Sequence, residues 1–475
     1  MPRYSWIKYA FYSQYSWIKY AILLYKSVIC VTLTAFTIIL EVRQVLKRKL
    51  LNELLKWKNN PARLTLLIKG ARQVGKTFIV REFAKEHYKH FVDINFVENP
   101  EYHAIFDGGL DAENLIKQMS LRVPRTRIEP GKTLIFLDEI QLCPRARAAM
   151  KFLASDKRFD VVASGSMLGI NYEDVPSYPV GYVDYLEMHS LDFEEFLWAS
   201  GVSPDSIADI KGYFDEMRVV PSAMHERMME LFREYIVVGG MPRVVQNFVT
   251  FHNFATVLRL QKDIISGYAD DIAKYARSAE KAKARACLLS VPKHLSKDYK
   301  KFQYSLVEKG GSARKFGGSL MWLYDAGIIS FCHNLAIPEL PLEGNAKSDA
   351  FKVYMRDTGL LMAMLDDGSQ EDIIDGNLGI YKGAIYENII ADIFTKSGKK
   401  LYYYEKNNKI EIDFFIRRDK TATAIEVKSA DNTKAKSLCS VMKYQGVNRG
   451  IKLSAKNVGM AGNIESFPLY MAMFL

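Results

Sequence analysis

The sequence predicts an α/β protein whose first folded part is a doubly wound parallel sheet. Three observations carry this prediction. An apolar strand at 64–68 leads directly into a glycine-containing loop and a helix. A second apolar strand, at 133–137, ends in the acidic pair Asp138 and Glu139. Strand-like and helix-like segments alternate along this part of the chain, which is typical of parallel strands joined by right-handed helical crossovers.

The loop after the first strand has the spacing of a phosphate-binding P-loop. Gly70 is followed after four residues by Gly75, Lys76 and Thr77. Glycines let backbone N–H groups approach a polyphosphate closely, and the helix that follows presents its positive end to the anion. We expect Lys76 to reach the β- and γ-phosphates and Thr77 to bind Mg²⁺, so ATP with Mg²⁺ is the expected ligand. The predicted nucleotide-binding residues are Gly70, Ala71, Arg72, Gln73, Val74, Gly75, Lys76, Thr77 and Phe78.

The acidic pair after the second strand completes the predicted nucleotide site. Carboxylates at the C-terminal edge of a parallel sheet lie where ligands bind in such folds. We expect Asp138 to hold Mg²⁺, directly or through water. Glu139 is expected to activate the attacking water as a general base.

Composition fits a chain of several domains in a reducing compartment. The chain has 475 residues, enough for about three domains. Its five cysteines are scattered, without a C-x-x-C pair, which favours the cytoplasm and argues against a structural metal cluster. They are Cys30, Cys143, Cys287, Cys332 and Cys439.

Positive charge is concentrated in two places. Residues 274–315 contain twelve Lys and Arg against three acidic residues, a net charge of +9, and residues 1–49 carry +7 of the chain's total of +11. A segment this basic is typical of a surface that contacts phosphates, so duplex DNA is the expected partner of 274–315. The alternative is a solvated helical face without a ligand.

The N-terminal extension has an unusual sequence. The heptapeptide YSWIKYA occurs at 4–10 and again at 15–21, and residues 21–40 are nearly all apolar. Basic residues follow at 47–49, the charge pattern of a membrane helix with a positive cytoplasmic flank. Membrane contact through 21–40 is one hypothesis. The other is a misassigned start or a dispensable extension.

Five motifs together resemble a known family. They are KGARQVGKT, FLDEIQ, VVASGSMLGI, PVGYVDYLEMHSLDFEEFLWA and YIVVGGMPRVV. From about residue 48 onwards the sequence is similar to prokaryotic AAA+-type ATPases that carry a C-terminal DUF4143 domain. The resemblance implies that Ser164, at the tip of the fourth core strand, is the catalytic sensor-1 residue, with Ser166 as the near alternative. Many relatives have Gly-Arg where this chain has Gly181-Tyr182, so an arginine finger is expected to be missing unless Arg145 or Arg147 replaces it.

Helices are expected to form a lid over the nucleotide. Segments 193–199 and 224–246 have helical patterns, and the second is broken by Gly239-Gly240-Met241-Pro242. Arg243, just after the break, is either a second sensor of the γ-phosphate or a solvent-facing residue at the start of a helix.

The basic segment leads into a predicted winged helix-turn-helix. Three short helical patterns, at 288–295, 304–306 and 320–323, precede a β-hairpin, and the family resemblance implies the same arrangement. Winged helices often bind DNA, with Lys and Arg contacting phosphates, but they also serve as protein-binding modules.

The C-terminal part is expected to be a second α/β unit. Glu387 lies on a helix, Asp413 on a hairpin strand, and Glu426 and Lys428 follow on the next strand, where their spacing places them on one face. This order is similar to the E…D…ExK signature of the PD-(D/E)XK nuclease fold. The similarity implies that Glu387, Asp413 and Glu426 bind Mg²⁺ and that Glu426 and Lys428 take part in phosphodiester cleavage. A fold of this type retained only for binding is the alternative.

These observations predict five parts and two competing functions. The parts are an extension (1–45), an AAA+-type ATPase core (46–216), a helical lid (217–285), a winged helix (286–350) and a restriction-endonuclease-like domain (351–475). The first function is ATP hydrolysis coupled to a DNA-binding and cleaving C-terminal region. The second is a nucleotide-dependent switch that binds a protein partner and cleaves nothing. The oligomeric state stays open in both.

Overall fold

The computed structural model describes residues 45–124, 126–165, 181–275, 278–295, 301–366, 368–376, 382–407, 410–428, 436–444, 446–447 and 449–475. The chain divides into two compact units, Met1–Leu46 and Lys47–Leu475, and every described helix and strand belongs to the second. Among these residues, no helix is both long enough and apolar enough to cross a membrane. The apolar segment 21–40 and the repeated heptapeptide lie outside the described residues.

The first sheet of the second unit is parallel throughout. Its strands are β1 (Thr65–Lys69), β2 (His90–Asn95), β3 (Thr133–Asp138), β4 (Asp160–Gly165) and β5 (Val183–Glu187). They lie in the order β2-β3-β4-β1-β5. Every residue of β3 is buried, as expected for a strand covered by helices on both faces. The predicted doubly wound parallel sheet is confirmed.

Helices cover both faces of this sheet. They are α1 (Leu50–Asn59), α2 (Lys76–His87), α3 (Ala112–Arg122) and α4 (Pro144–Asp156). Alternate residues of β3 enter different apolar layers: Ile135 and Leu137 pack on one side of the sheet, Leu134 and Phe136 on the other. This packing fixes the direction of β3 and therefore the position of the acidic pair at its end.

The helices of the predicted lid follow. They are α5 (Phe193–Ala199), α6 (Pro204–Asp215), α7 (Ser222–Val238), α8 (Pro242–Phe251) and α9 (Phe254–Tyr275). The expected break lies between α7 and α8, at Gly239 and Gly240. The capping box of α5 begins at Asp192, whose side chain accepts from the backbone N–H of Glu195.

The basic segment forms helices that lead into a second, mixed sheet. The helices are α10 (Ser278–Leu295), α11 (Tyr304–Val307) and α12 (Ala313–Asp325). The strands are β6 (Ile329–Leu335), β7 (Ala346–Met355), β8 (Leu401–Lys406), β9 (Ile410–Arg418), β10 (Thr421–Val427), β11 (Arg449–Ser454), β12 (Gly459–Ala461) and β13 (Ile464–Pro468). The remaining helices are α13 (Thr358–Met362), α14 (Ser369–Ile374), α15 (Lys382–Lys396) and α16 (Lys436–Val441).

The hairpin after the basic helices belongs to this C-terminal sheet. The strand order is β12-β13-β11-β10-β9-β8-β6-β7, and β6 pairs in parallel with β8. The expected domain boundary at residue 350 therefore falls inside β7. Strand β7 pairs with β6 on both sides of that point, at Ala346 and again from Phe351 to Met355, with an irregularity between them, so the hairpin is part of the C-terminal sheet. The winged-helix and nuclease-like descriptions stay predictions.

Asp357 joins the lid break to the C-terminal sheet. One of its carboxylate oxygens, Oδ2, accepts hydrogen bonds from the Ser190 hydroxyl at 2.7 Å and from the Gly240 N–H at 2.9 Å. Asp357 is buried, and a buried carboxylate is stabilised only when donors replace its water. The Asp357 carboxylate therefore holds three distant parts of the chain together.

Gly239 should not tolerate a side chain at this junction. Its φ is +70°, and an added Cβ would lie 2.2 Å from Asp357 Oδ1 and 2.9 Å from the Gly359 backbone. We expect Gly239→Ala to lower the free energy of unfolding by about 3–5 kcal/mol, the sum of a left-handed alanine and an overpacked contact. Urea unfolding of the full chain measures it.

Gly201→Ala is the matched control for that change. Gly201 also has a positive φ, +84°, but an added Cβ there meets nothing within 4 Å. It should cost only about 1–2 kcal/mol for the backbone conformation. If the two variants lost the same stability, the contact between the added Cβ of residue 239 and Asp357 would not be the cause of the loss.

Candidate functional site

The P-loop joins β1 to α2 and is held tightly on one side. An added Cβ at Gly70 would lie only 2.1 Å from the carbonyl oxygen of Met188, so the first position of the motif requires glycine. Gly75 has a φ of +99° and forms the left-handed N-cap of α2. The sequence motif therefore specifies a backbone path that residues with a Cβ do not adopt easily.

Lys76 is folded into the loop. Its ammonium group donates to the carbonyl oxygens of Gly70 at 3.0 Å and Ala71 at 2.8 Å. Burial lowers the pKa of Lys76 to about 8, although the neighbouring Glu139 and Asp138 oppose this change. The side chain thus remains largely charged at neutral pH, and its two bonds are to backbone acceptors that a phosphate oxygen could replace.

Asp138 is the centre of a hydrogen-bond network beneath the loop. Its Oδ2 accepts from the Thr77 hydroxyl at 2.8 Å and from the Asn95 amide at 3.0 Å. Its Oδ1 accepts from the Ser164 hydroxyl and from the Glu139 N–H. The strand order explains the meeting, because β2 and β4 flank β3 and all three end at the same edge.

The residues around Thr77 fit a magnesium ion held by a nucleotide. Mg²⁺ in such sites takes one or two protein oxygens and completes its shell with water and phosphate. The Thr77 hydroxyl and the Asp138 carboxylate are two oxygens in direct contact at the end of the P-loop. Thr77 and Asp138 would hold the ion, and its chemistry there would be to neutralise charge on the phosphates.

Glu139 follows with an unusual backbone. Its φ is +56°, in the left-handed region that residues other than glycine seldom adopt. Its carboxylate Oε2 accepts from the Gln141 side chain at 2.5 Å. Strain of this kind, where the surrounding structure enforces it, is often found at functional sites.

The structure brings Ser164 into the site and adds Asn95. Ser164 is fully buried at the end of β4, and Asn95 occupies the equivalent position at the end of β2. Asn95 is absent from the sequence-based set, although the same rule that selected Asp138 would have selected it. Ser166, the alternative to Ser164, lies outside the described residues.

Residues outside the motif brace the loop. Arg48 donates to the carbonyl oxygens of Val74 at 2.9 Å and His189 at 2.6 Å, and it pairs with Glu195 at 3.2 Å. Its side chain is 9% exposed. No local pattern marks Arg48, because its partners lie up to 147 residues away.

The outer side of the loop contacts the lid. The guanidinium of Arg72 forms an ion pair with Asp271 of α9, and the Tyr268 hydroxyl donates to the Arg72 carbonyl at 3.3 Å. The turn before β6 also reaches the loop, since an added Cβ on Gly327 would lie 3.3 Å from the Ala71 nitrogen. Helix α9 and the turn before β6 thus both contact the P-loop.

The two arginines named as replacements for a finger are engaged within their own chain. Arg145 donates to the carbonyl oxygens of Phe106 at 2.5 Å and Gly108 at 2.8 Å, while Arg147 is buried. Tyr182 instead contacts the Lys151 ammonium, 5.3 Å from its ring centroid. Arg243 is exposed next to Pro242, whose ring lies near the Cβ position of Gly75.

The nuclease-like residues lie close together in the C-terminal sheet. Lys428 donates to Glu426 Oε1 at 2.5 Å, and Asp413 Oδ2 accepts from the Val427 N–H at 2.8 Å. Strand β10 ends at Val427, one residue before Lys428. Both acids are buried, and among the described residues Glu426 Oε2 has no hydrogen-bond partner.

A residue outside the signature neutralises this acidic site. Lys352 comes from β7, and its side chain is 1% exposed. Its ammonium lies 2.8 Å from Glu411 Oε1 and 3.7 Å from Glu387 Oε2. Burial on its own would lower the pKa of Lys352, but Glu387, Glu411 and Asp413 outweigh it and raise that pKa.

The magnesium site expected at Glu387, Asp413 and Glu426 stays a prediction, and a cation already lies beside one of its three acids. Across the described residues, no group of three or more His, Cys, Asp and Glu side chains is placed to hold a metal ion. The Tyr354 hydroxyl also donates to Glu387 Oε2, at 3.1 Å. A lysine ammonium and a phenol therefore already contact the Glu387 carboxylate.

Comparison with known families matches three parts of the chain. Residues 62–197 match an AAA domain, residues 229–371 match a domain of unknown function (DUF8612), and residues 382–469 match a domain of unknown function (DUF4143). No curated protein matches the chain.

Several solved structures are also similar, each at 13% identity. The Walker-type ATPase of Pyrococcus abyssi has a TM-score of 0.40 and covers 68% of this chain and 97% of its own. The Orc1 protein of Aeropyrum pernix in complex with DNA has a TM-score of 0.27, with coverages of 69% and 90%. AMPPCP-bound DnaA of Aquifex aeolicus also has a TM-score of 0.27, with coverages of 58% and 88%.

The parallel sheet, the P-loop and the Asp138 network are those of a P-loop fold, and the family match places an AAA domain over the same residues. More particularly, residues 62–197 are similar to an AAA domain and residues 382–469 are similar to a DUF4143 domain.

Proposed function

We propose that this protein binds and hydrolyses ATP with Mg²⁺ and that the nucleotide state controls its C-terminal region. Lys76 and the P-loop backbone hold the phosphates, and Thr77 and Asp138 hold the ion. Glu139 accepts a proton from the attacking water, and Ser164 orients Asp138. The observation that supports this most is the 2.8 Å contact between the Thr77 hydroxyl and Asp138, directly below the P-loop.

The contacts around Arg72 support control of the C-terminal region. Asp271 of the lid pairs with Arg72, and Gly327 of the C-terminal unit packs against Ala71. A phosphate that enters the loop must displace the bonds of Lys76 to Gly70 and Ala71. The P-loop backbone therefore contacts the nucleotide on one side, and helix α9 and the turn before β6 on the other.

We propose nucleic-acid binding, without cleavage, for the C-terminal region. The net charge of +9 over 274–315 supports contact with duplex DNA. The buried Lys352 argues against a metal-dependent cut. A C-terminal region that does not cleave also fits the second candidate, a switch whose C-terminal region binds a protein partner. A cytoplasmic location, an oligomer and the division at residues 46, 217 and 286 are proposed on the sequence patterns given above.

ATP turnover of the full chain tests this function. With Mg²⁺, wild-type protein should hydrolyse ATP, and Lys76→Ala should reduce turnover to background because the buried ammonium is the only P-loop side chain expected on the β- and γ-phosphates. Duplex DNA should raise the wild-type rate and remain intact on a gel. A rate that ignores DNA would favour the protein-binding switch.

Charge reversals separate DNA binding from turnover. Lys281→Glu, Lys283→Glu and Arg285→Glu together should weaken duplex binding and reduce the slope of log affinity against log salt by about 0.9 for each phosphate that the protein no longer neutralises. Unstimulated turnover should persist. An unchanged slope would mean that the basic segment is a solvated face.

A further inference from the structure

A cavity of about 910 Å³ lies beside the basic helices and is not explained by the ATP site. Its walls come from the β6–β7 hairpin, helix α12, the end of α15 and the start of β8. At one end it reaches Glu187 and His189, at the end of the edge strand of the ATPase sheet and just beyond it. Its volume is in the range of about 300–1,000 Å³ that is typical of ligand-binding clefts.

Aromatic rings form one wall of this cavity. Tyr324 of α12 and Phe331 of β6 stack with centroids 5.2 Å apart, and Phe331 meets Phe351 of β7 edge-on at 5.0 Å. Tyr324 is 37% exposed and the adjacent Met321 is 48% exposed. Single exposed apolar residues are ordinary on a protein surface, but these large groups line one cavity together.

Positive charge surrounds the rings. The lining contains five Lys and Arg against two Glu, a net charge of +3. Arg356 pairs with Glu187 at 2.9 Å and Lys400 with Glu343 at 2.9 Å, so both acids are already neutralised. In the described part of the chain, no carboxylate lies within ion-pair distance of Lys347 or Lys399. Burial lowers the pKa of Lys399, and an anion beside its ammonium group would oppose this change.

We propose that this cavity, called the groove below, binds single-stranded nucleic acid. Aromatic platforms for bases beside cations for phosphates are the recognition chemistry of single strands. Bases would stack on Tyr324 and Phe331, and phosphates would contact Lys347 and Lys399. The proposal rests on the nucleic-acid contact proposed above, but it assigns a different surface and an unpaired strand. An acidic peptide with apolar side chains is the competing occupant.

The groove also adjoins the nucleotide loop. Arg356 joins its aromatic wall to the ATPase sheet, since its guanidinium lies 4.9 Å from the Tyr324 ring centroid and pairs with Glu187. Glu187 is followed by Met188, whose carbonyl oxygen packs against Gly70. The Arg356–Glu187 ion pair therefore connects a nucleic-acid strand bound in the groove to the segment that packs against the P-loop.

Fluorescence anisotropy with full-length protein tests the groove. The probes are a labelled oligothymidylate, a duplex of the same length, and an acidic peptide of alternating Glu and Phe. We expect the single strand to bind more tightly than the duplex, and Tyr324→Ala to weaken it about tenfold. Tyr324→Trp should retain affinity because it keeps a stacking surface. Thermal unfolding verifies that each variant is folded.

Charge variants complete the test. Lys347→Glu with Lys399→Glu should weaken binding of the single strand and reduce its salt dependence, whereas Lys117→Glu, an exposed lysine of α3 outside both proposed DNA surfaces, should have little effect. If duplex DNA binds through residues 281–285 and its binding does not depend on Tyr324, the proposal for the groove is wrong. The proposed function would then remain intact. Tyr324-dependent binding of the peptide without binding of the single strand would overturn it in favour of a protein partner. No binding of any probe, with normal ATP turnover, would also overturn it.

Discussion

Glu139→Gln should abolish ATP turnover while ATP binding persists. The substitution keeps the shape of the side chain but removes its ability to accept a proton, and a positioned general base contributes about 100- to 10,000-fold to a rate. Asp138, Thr77 and the P-loop are untouched, so Mg²⁺ and the phosphates retain their ligands. A coupled assay measures turnover, and a fluorescent ATP analogue measures affinity.

Glu98→Gln is the control for this substitution. Glu98 lies just after β2, the strand next to β3, and it is exposed with only a loose ion pair to Arg81 at 3.6 Å. The same chemical change there should leave the rate unaltered. If Glu139→Gln hydrolysed ATP at the wild-type rate, another group would have to activate the water, and the left-handed backbone at Glu139 would need a different explanation.

The arrangement of side chains around the P-loop could be predicted because the patterns that indicate it are local in sequence. The P-loop is a continuous stretch, and Asp138 is identified by the apolar strand that precedes it. Asn95 was within reach of the same reasoning, because it too ends a core strand. Arg48 was not, since the carbonyl groups that it binds are brought to it by the path of the chain, 26 and 141 residues away.

The C-terminal sheet shows where sequence reasoning stops. Strands β8, β9 and β10 were expected, and they form as predicted with small changes of boundary. The participation of the β6–β7 hairpin was missed, because hydrophobic alternation shows that a strand exists but not which strand it pairs with. Lys352 enters the acidic site only through that pairing. The pattern of acids along β9 and β10 therefore predicted a metal site without the ammonium group that the fold brings beside it.

The tertiary contacts of Asp357 make the same point. Its hydrogen bonds join positions 167 and 117 residues away. The sequence around Gly239 and Gly240 correctly predicted a helix break, because glycine pairs interrupt helices through local backbone preference. The break also donates a backbone hydrogen bond to a carboxylate from another part of the chain, and only the assembled structure shows this.

Lys352→Met should destabilise the protein strongly. The change leaves Glu387 and Glu411 without their cation, and removing one partner of a buried ion pair typically costs about 3–5 kcal/mol. Lys400→Met is the control, because its pair with Glu343 is exposed and should be worth at most about 1 kcal/mol. Urea unfolding of the full chain measures both.

A compensating variant and a divalent ion decide whether Lys352 stands in place of a metal. Lys352→Met combined with Glu387→Gln and Glu411→Gln should recover much of the lost stability, because the triple variant no longer buries unpaired charge. Lys352→Met alone should be stabilised by millimolar Ca²⁺ or Mn²⁺, since the acids of β9 and α15 then become available as oxygen ligands. With Lys352 present, the C-terminal region should gain no stability from the metal ion. Both proteins are best compared in the Lys76→Ala background and without nucleotide. A metal-induced shift that is the same with Lys352 present would mean that the ammonium group does not compete with the ion, and the case for metal-dependent cleavage would reopen.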